Sequence, residues 1–224
     1  KNKIRAVWGV PLDVIVEEFR FFQPYMAWLK QTDAPIAYRI EMATGGMSYI
    51  NEMCKQNPGK SLIMTDYKGF DKSIPPWLIR DAFTIVLESF DLTKVIGSDQ
   101  KVWNVNPVRT QRRIKAMIKY FINTPIRLAN GDRYRKSGGV PSGSMFTNIL
   151  DTIVNCIVTR YVIYNTTGKL PAADMYLGDD SFVIAEGIIN LQDMSEVAMD
   201  TFGMLIHPEK SYVTTNPGNV QFLG

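Results

Sequence analysis

Two apolar triplets, Met175-Tyr176-Leu177 and Phe182-Val183-Ile184, enclose Gly178-Asp179-Asp180-Ser181. Glycine and aspartate are turn residues, and the flanking runs read as buried strands. The segment is therefore predicted to be a β-hairpin with two adjacent carboxylates at its tip. Far upstream, Ser61-Leu62-Ile63-Met64 reads as a short buried strand running into Asp66. If the two strands are neighbours, three carboxylates converge on one sheet edge. Unpaired like charges that close are costly, and a bound divalent cation relieves the cost. Oxygen-only ligation suits Mg²⁺, and two such ions ~4 Å apart can serve an in-line phosphoryl displacement. The plainer reading of the tripeptide alone is a turn rich in aspartate.

Composition narrows the alternatives. The 224 residues suffice for one large core or two small lobes, and 46% hydrophobic with 21% charged residues excludes a disordered or fibrous chain. One histidine, His207, and two distant cysteines, Cys54 and Cys156, rule out a multi-histidine cage, a zinc site and a disulfide scaffold. No apolar run reaches the ~18 residues of a membrane span, and no signal-peptide core follows Lys1-Asn2-Lys3, so a soluble protein of a reducing compartment is expected. The net charge of +3 conceals segregation. Residues 101–136 hold ten basic side chains against the single acid Asp132, a local +9 that leaves −6 for the remainder. Such an excess is an electrostatic footprint for phosphates, or else a solvated helix face.

Helices are predicted over 11–30, broken in two by Pro24, and over 47–56, 75–90, 108–122, 143–164 (capped by Ser142) and 191–202. Asn130-Gly131 signals a hairpin between 126–128 and 133–135, and further short strands are expected at 212–214 and 220–222. Strands and helices do not alternate as βαβ units, so the expected class is α+β. The missing initiator Met and the stop at Phe222-Leu223-Gly224 read as cut ends of a longer chain.

Further motifs accompany the acids. Asp71 follows Asp66 by five positions, and the segment Ser137 to Thr147 supplies a flexible loop leading into a helix; it lacks the Lys of a Walker-type phosphate loop. Asp66/Asp71, then Ser142/Gly143/Thr147, then Gly178-Asp179-Asp180 resemble, in order, motifs A, B and C of viral RNA-dependent RNA polymerases. Lys3 and Arg5 resemble motif F, Lys210 motif D, and Gln221 to Gly224 the start of motif E. The wording DYKGFDKSIPPWLI, GGVPSGSMFTNILDTIVN and GDDSFV is similar to the partitivirus-like group of double-stranded RNA viruses.

The resemblance implies a right-hand polymerase palm, an antiparallel sheet of about three strands backed by helices, with partial fingers. Residues 1–60 would be a fingers segment with motif F, 61–90 palm motif A, 91–136 a basic fingers insertion, and 137–224 palm motifs B, C, D and the start of E, with the thumb absent. It implies Asp66 and Asp179 as main metal ligands with Asp180 assisting, two Mg²⁺ ions (or Mn²⁺), and Lys210 as general acid toward pyrophosphate. Lys3 and Arg5 would clamp the triphosphate; Asp71 would accept a hydrogen bond from the ribose 2′-hydroxyl or a neighbour of it; Ser142, Gly143 and Thr147 would read ribose and template backbone. Asp151 stands where many positive-strand virus polymerases have Asn, a pattern the partitivirus-like group also resembles. Asn155, one turn on, is either a participant or a packed amide. The plainer alternatives are a solvated acid at 180, a cap at 71, and surface charges at 3, 5 and 210. Implied partners are RNA template and product, ribonucleoside triphosphates and the viral capsid protein, in a virion or the host cytoplasm. A reverse-transcriptase-like palm, an inactive RNA-binding relative and an acidic-loop metal binder are the rival readings.

Overall fold

A computed structural model describes residues 9–40 and 45–223. Lys3, Arg5 and Gly224 lie outside the described residues. The centre is a four-stranded antiparallel sheet built from β1 (Ser61–Met64), β6 (Ala173–Leu177), β7 (Asp180–Ala185) and β8 (Tyr212–Thr214), in the order β6-β7-β1-β8. Two separate hairpins lie between β1 and β6 in sequence: β2 (Lys94–Ile96) with β3 (Val102–Asn104), and β4 (Pro125–Arg127) with β5 (Arg133–Arg135).

The strands of the main sheet read as unbroken apolar runs because both faces are covered. Ile63, Tyr176 and Val183 point into the large core, while Leu62, Met64, Met175, Phe182 and Ile184 point into a smaller one. The large core is roofed by α4 (Pro76–Glu88), α6 (Thr147–Thr167) and α7 (Leu191–Phe202); α6 packs against both β6 and β7. The smaller core is closed by α2 (Gly46–Lys55) and by Val220 and Phe222. Helix α1 (Leu12–Leu29) touches the basic α5 (Pro107–Ile122), and the short α3 (Phe70–Ser73) follows β1.

Three sequence expectations change. Pro24 does not divide α1; the helix runs through it as one piece, anchored by buried Glu18, Tyr25 and Leu29, so tertiary packing outweighs one lost backbone hydrogen bond. The long helix α6 begins at Thr147, four residues after the expected 143, and Ser142 does not cap it. Residues before it form a turn instead, with the Ser144 N–H on the Pro141 carbonyl at 3.1 Å and the Thr147 hydroxyl on the same carbonyl at 2.6 Å. Val220 to Phe222 forms no strand: a 3-10 turn, Pro217–Asn219, redirects the chain so that Val220 and Phe222 become apolar plugs. Cys54 is buried, as a small hydrophobe should be, whereas Cys156 is only half-buried. Among the described residues, no helix is long and apolar enough to cross a membrane.

Candidate active site

The antiparallel pairing of β1 and β7 assembles the site. Their register couples Leu62 with Ile184 and Ile63 with Val183. Carried two residues further, it sets Thr65 opposite Ser181, and those hydroxyls do meet, at 2.6 Å. The next step sets Asp66 opposite Asp180 at the mouth of the sheet. The electrostatics agree with that geometry: Asp180 is pushed up first by burial, then by Asp179 and Asp66. Asp66, Asp179 and Asp180 all reach the surface, so the burial that acts on Asp180 is partial.

Two more acids face this cluster from other elements. Asp71 sits in α3, and Asp151 in α6 is buried, its Oδ1 lacking a hydrogen-bond partner among the described residues. Burial raises Asp151 well above the carboxylate range, and the charges of Asp71 and Asp179 raise it further. The five carboxylates at 66, 71, 151, 179 and 180 thus share one electrostatic neighbourhood, linked through the shifts of Asp151 and Asp180.

Neutral groups hold the hairpin tip. Gly178 takes φ +60°, donates its N–H to Thr152 Oγ1 at 2.8 Å and gives its carbonyl to Asn155 Nδ2 at 3.1 Å. Asn155 Nδ2 also reaches the Asp180 carbonyl at 3.2 Å, and its Oδ1 accepts from Thr159 at 2.9 Å. Of the two readings of Asn155, its surroundings fit the packed amide: it is fully buried, with Nδ2 supporting the tip and Oδ1 accepting from Thr159.

The other expected residues divide into three groups. Ser142 is exposed at the turn that precedes α6, with Gly143 and Thr147 half-exposed beside it. Lys210 is exposed on a turn tied to the end of β1: the His207 N–H donates to the Asp66 carbonyl at 2.8 Å, and the Asp66 N–H donates to Ser211 Oγ at 3.0 Å. Lys3 and Arg5 fall outside the described residues.

Sequence reasoning missed Thr65, Thr152, Ser181 and Ser211, which act through hydrogen bonds to the tip and to β1 rather than by charge. It also missed Glu18, buried on α1 and bonded to Ser144 and Met145. Thr65, at the end of an apolar run, could have been flagged by its polarity; Glu18, Ser181 and Ser211 stand beside charged residues and give no such signal.

The donor set consists of carboxylate oxygens, an all-oxygen set that suits a hard divalent cation. Among the described residues, however, no three His, Cys, Asp or Glu side chains form a finished ligand group. Water and substrate phosphates therefore have to supply part of any coordination, as is usual for Mg²⁺.

The sheet, the acid-tipped hairpin and the helices behind them make an α+β polymerase palm. The same fold occurs in the crystal structure of an insertion-loop deletion mutant of the RNA-dependent RNA polymerase of a human picobirnavirus, with a TM-score of 0.79, 19% identity and coverage of 99% of this chain and 40% of that one. The chain belongs to the viral RNA-dependent RNA polymerase family, whose model matches residues 1–224. It is 29% identical over 228 residues to the RNA-directed RNA polymerase of Cryptosporidium parvum virus 1 (strain KSU-1), covering 96% of this chain. It is also 29% identical over 240 residues to that of white clover cryptic virus 1 (isolate Boccardo/2004), covering 99%. In each case the chain spans 39% of the relative's length.

Proposed function

We propose that this chain is the palm, with adjoining fingers, of an enzyme that copies an RNA template from ribonucleoside triphosphates. The observation that carries the reading is the pairing of β1 with β7, continued by the Thr65–Ser181 contact, with Asp179 and Asp66 both close enough to Asp180 to raise it. Asp66 and Asp179, assisted by Asp180, would hold two Mg²⁺ ions, for which Mn²⁺ can substitute. When bound, these ions acidify the attacking 3′-hydroxyl and neutralise the triphosphate.

The protein's own groups then bind and orient. Asp71, half-exposed beside the cluster, would accept a hydrogen bond from the 2′-hydroxyl or a neighbour of it, a contact that a deoxyribose cannot make. Asp151, raised by burial and by the charges of Asp71 and Asp179, would stand behind Asp71 in ribonucleotide selection. Ser142, Gly143 and Thr147 would meet ribose and template backbone. Lys210, exposed on its turn, would give a proton to the departing pyrophosphate, and Lys3 and Arg5 would clamp the triphosphate. The basic residues of 101–136 would line the RNA path.

The test is primer extension by the full-length protein with and without Mg²⁺, wild type against Asp179→Ala. Loss of about 4 kcal/mol of transition-state stabilisation predicts a roughly thousandfold slower Asp179→Ala variant. Unchanged product from that variant would remove the mechanism. Preference for dNTPs over NTPs would replace it with the reverse-transcriptase reading.

A further inference from the structure

Adjacent glutamates of α1 serve different neighbours. Glu17 grips Arg113 of α5 with both oxygens, at 2.7 Å to Nε and 2.5 Å to Nη2. Glu18 is buried, at 2% exposure, and pairs with no cation among the described residues. Its Oε1 accepts from the Ser144 hydroxyl at 2.8 Å, and its Oε2 accepts from the Met145 N–H at 2.9 Å. A buried carboxylate without a counter-charge is costly, and an apolar side chain would fill the space at less cost. What the carboxylate provides is two hydrogen bonds to successive residues of one loop.

That loop matters because of what stands on it. Ser144 closes the turn whose tip is Ser142-Gly143: its N–H donates to the Pro141 carbonyl at 3.1 Å, and its Oγ also accepts from the Phe146 N–H at 3.1 Å. The Thr147 hydroxyl bonds the Pro141 and Ser144 carbonyls at 2.6 and 2.9 Å. The far side of the loop is pinned as well, since the Val140 N–H donates to the Asp71 carbonyl at 2.7 Å. The turn itself is therefore held at its base, and Glu18 reaches it from α1 while leaving Ser142 exposed.

We propose that Glu18 is a positioning residue: by holding Ser144 and Met145 it fixes the Ser142-Gly143 turn in the orientation that receives the ribonucleotide. The inference rests on the polymerase reading above and adds to it a residue 124 positions upstream of Ser142, outside every motif.

The test uses the full-length protein with Glu18→Ala, Glu18→Gln, Ser144→Ala and the Glu18→Ala/Ser144→Ala double variant. Glu18→Ala should raise KM for NTPs about tenfold, lower the NTP-over-dNTP preference by a similar factor, and change kcat less. The double variant should be no worse than Glu18→Ala, because both remove the same contact. Glu18→Gln, which still accepts from Met145, should recover most of the loss. Hydrogen exchange should quicken at the Met145 amide in Glu18→Ala while α6 amides around Val154 and Val158 keep their protection. Unaltered Met145 exchange, or a uniform fall of all parameters in step with the thermal midpoint, would overturn the proposal. Failure of the polymerase reading shows separately, as wild-type protein that extends no primer; the exchange measurement decides the loop contact in either case.

Discussion

Gly178 joins two constraints at one atom. Its φ of +60° is a left-handed conformation that other residues adopt at a cost of roughly 1–2 kcal/mol, and a Cβ there would lie 3.1 Å from Asn148 Nδ2. Asn148 is itself held, since its Oδ1 accepts from the Tyr38 hydroxyl. A methyl group at 178 therefore displaces a fixed amide or tilts the tip carrying Asp179 and Asp180. Because the strain is local, Gly178→Ala should lower the thermal midpoint by only about 2–8 °C while cutting primer extension tenfold or more. Loss of fold and activity in proportion would show that the tip has no special geometry to lose. Polar support of this kind also explains why Thr65, just past β1, and Ser181, in β7, are hydroxyls at buried positions. Each satisfies the other at 2.6 Å immediately behind the acids, where a lone hydroxyl would be penalised.

Elements carry the next level of control, and the loop between β5 and α6 shows it. Lys136 reaches the Gly139 carbonyl at 2.5 Å and lies 5.5 Å from the Phe121 ring centre. The Gly139 N–H in turn donates to the Ile74 carbonyl at 2.9 Å, so the loop is fastened to the chain just beyond α3. Burial pushes the Lys136 ammonium down to about 8, from an ordinary value of 10.5. Between those values the unfolded chain binds a proton that the folded one lacks, so this group's contribution to stability rises with pH across that window. The thermal-midpoint difference, wild type minus Lys136→Met, should therefore increasingly favour wild type from pH 8 to 10.5; a flat difference would contradict the burial argument. At this scale much was legible in advance. Strand Ser61–Met64 and helix Leu191–Phe202 were readable from apolar pattern and bounding turn residues. The β2–β3 hairpin was not, because its short strands are exposed along their whole length, so no buried face imposes alternation. Acids on strand ends announce themselves by spacing, whereas Glu18 and Ser211 work through single backbone or hydroxyl contacts across more than 100 positions, which leaves no local pattern.

At the scale of the whole molecule, charge is divided between the acids at the mouth of the sheet and the basic segment 101–136. The fold does not treat that segment's cations alike. Arg113 is committed to Glu17, and Lys136 is turned inward. Arg109, Arg112, Lys115 and Lys119 are exposed, and at 100° per residue they fall within about one third of the circumference of α5. The buried stripe of that helix, Ile114, Met117 and Phe121, faces the core instead. A continuous basic face attracts a phosphate backbone by displacing condensed counterions, and each lost contact lowers the salt dependence by about 0.7 for single strands. Replacing Arg109, Arg112 and Lys119 together by Gln should therefore reduce the slope of log affinity against log salt for single-stranded RNA by about 2. Arg113→Gln should change the slope less, since its charge is already matched by Glu17. Asp179→Ala should not reduce the slope at all while slowing synthesis roughly thousandfold, because removing an acid releases no phosphate contact. An unchanged slope in the triple variant would mean that this face meets only water, and that the RNA path runs over another surface.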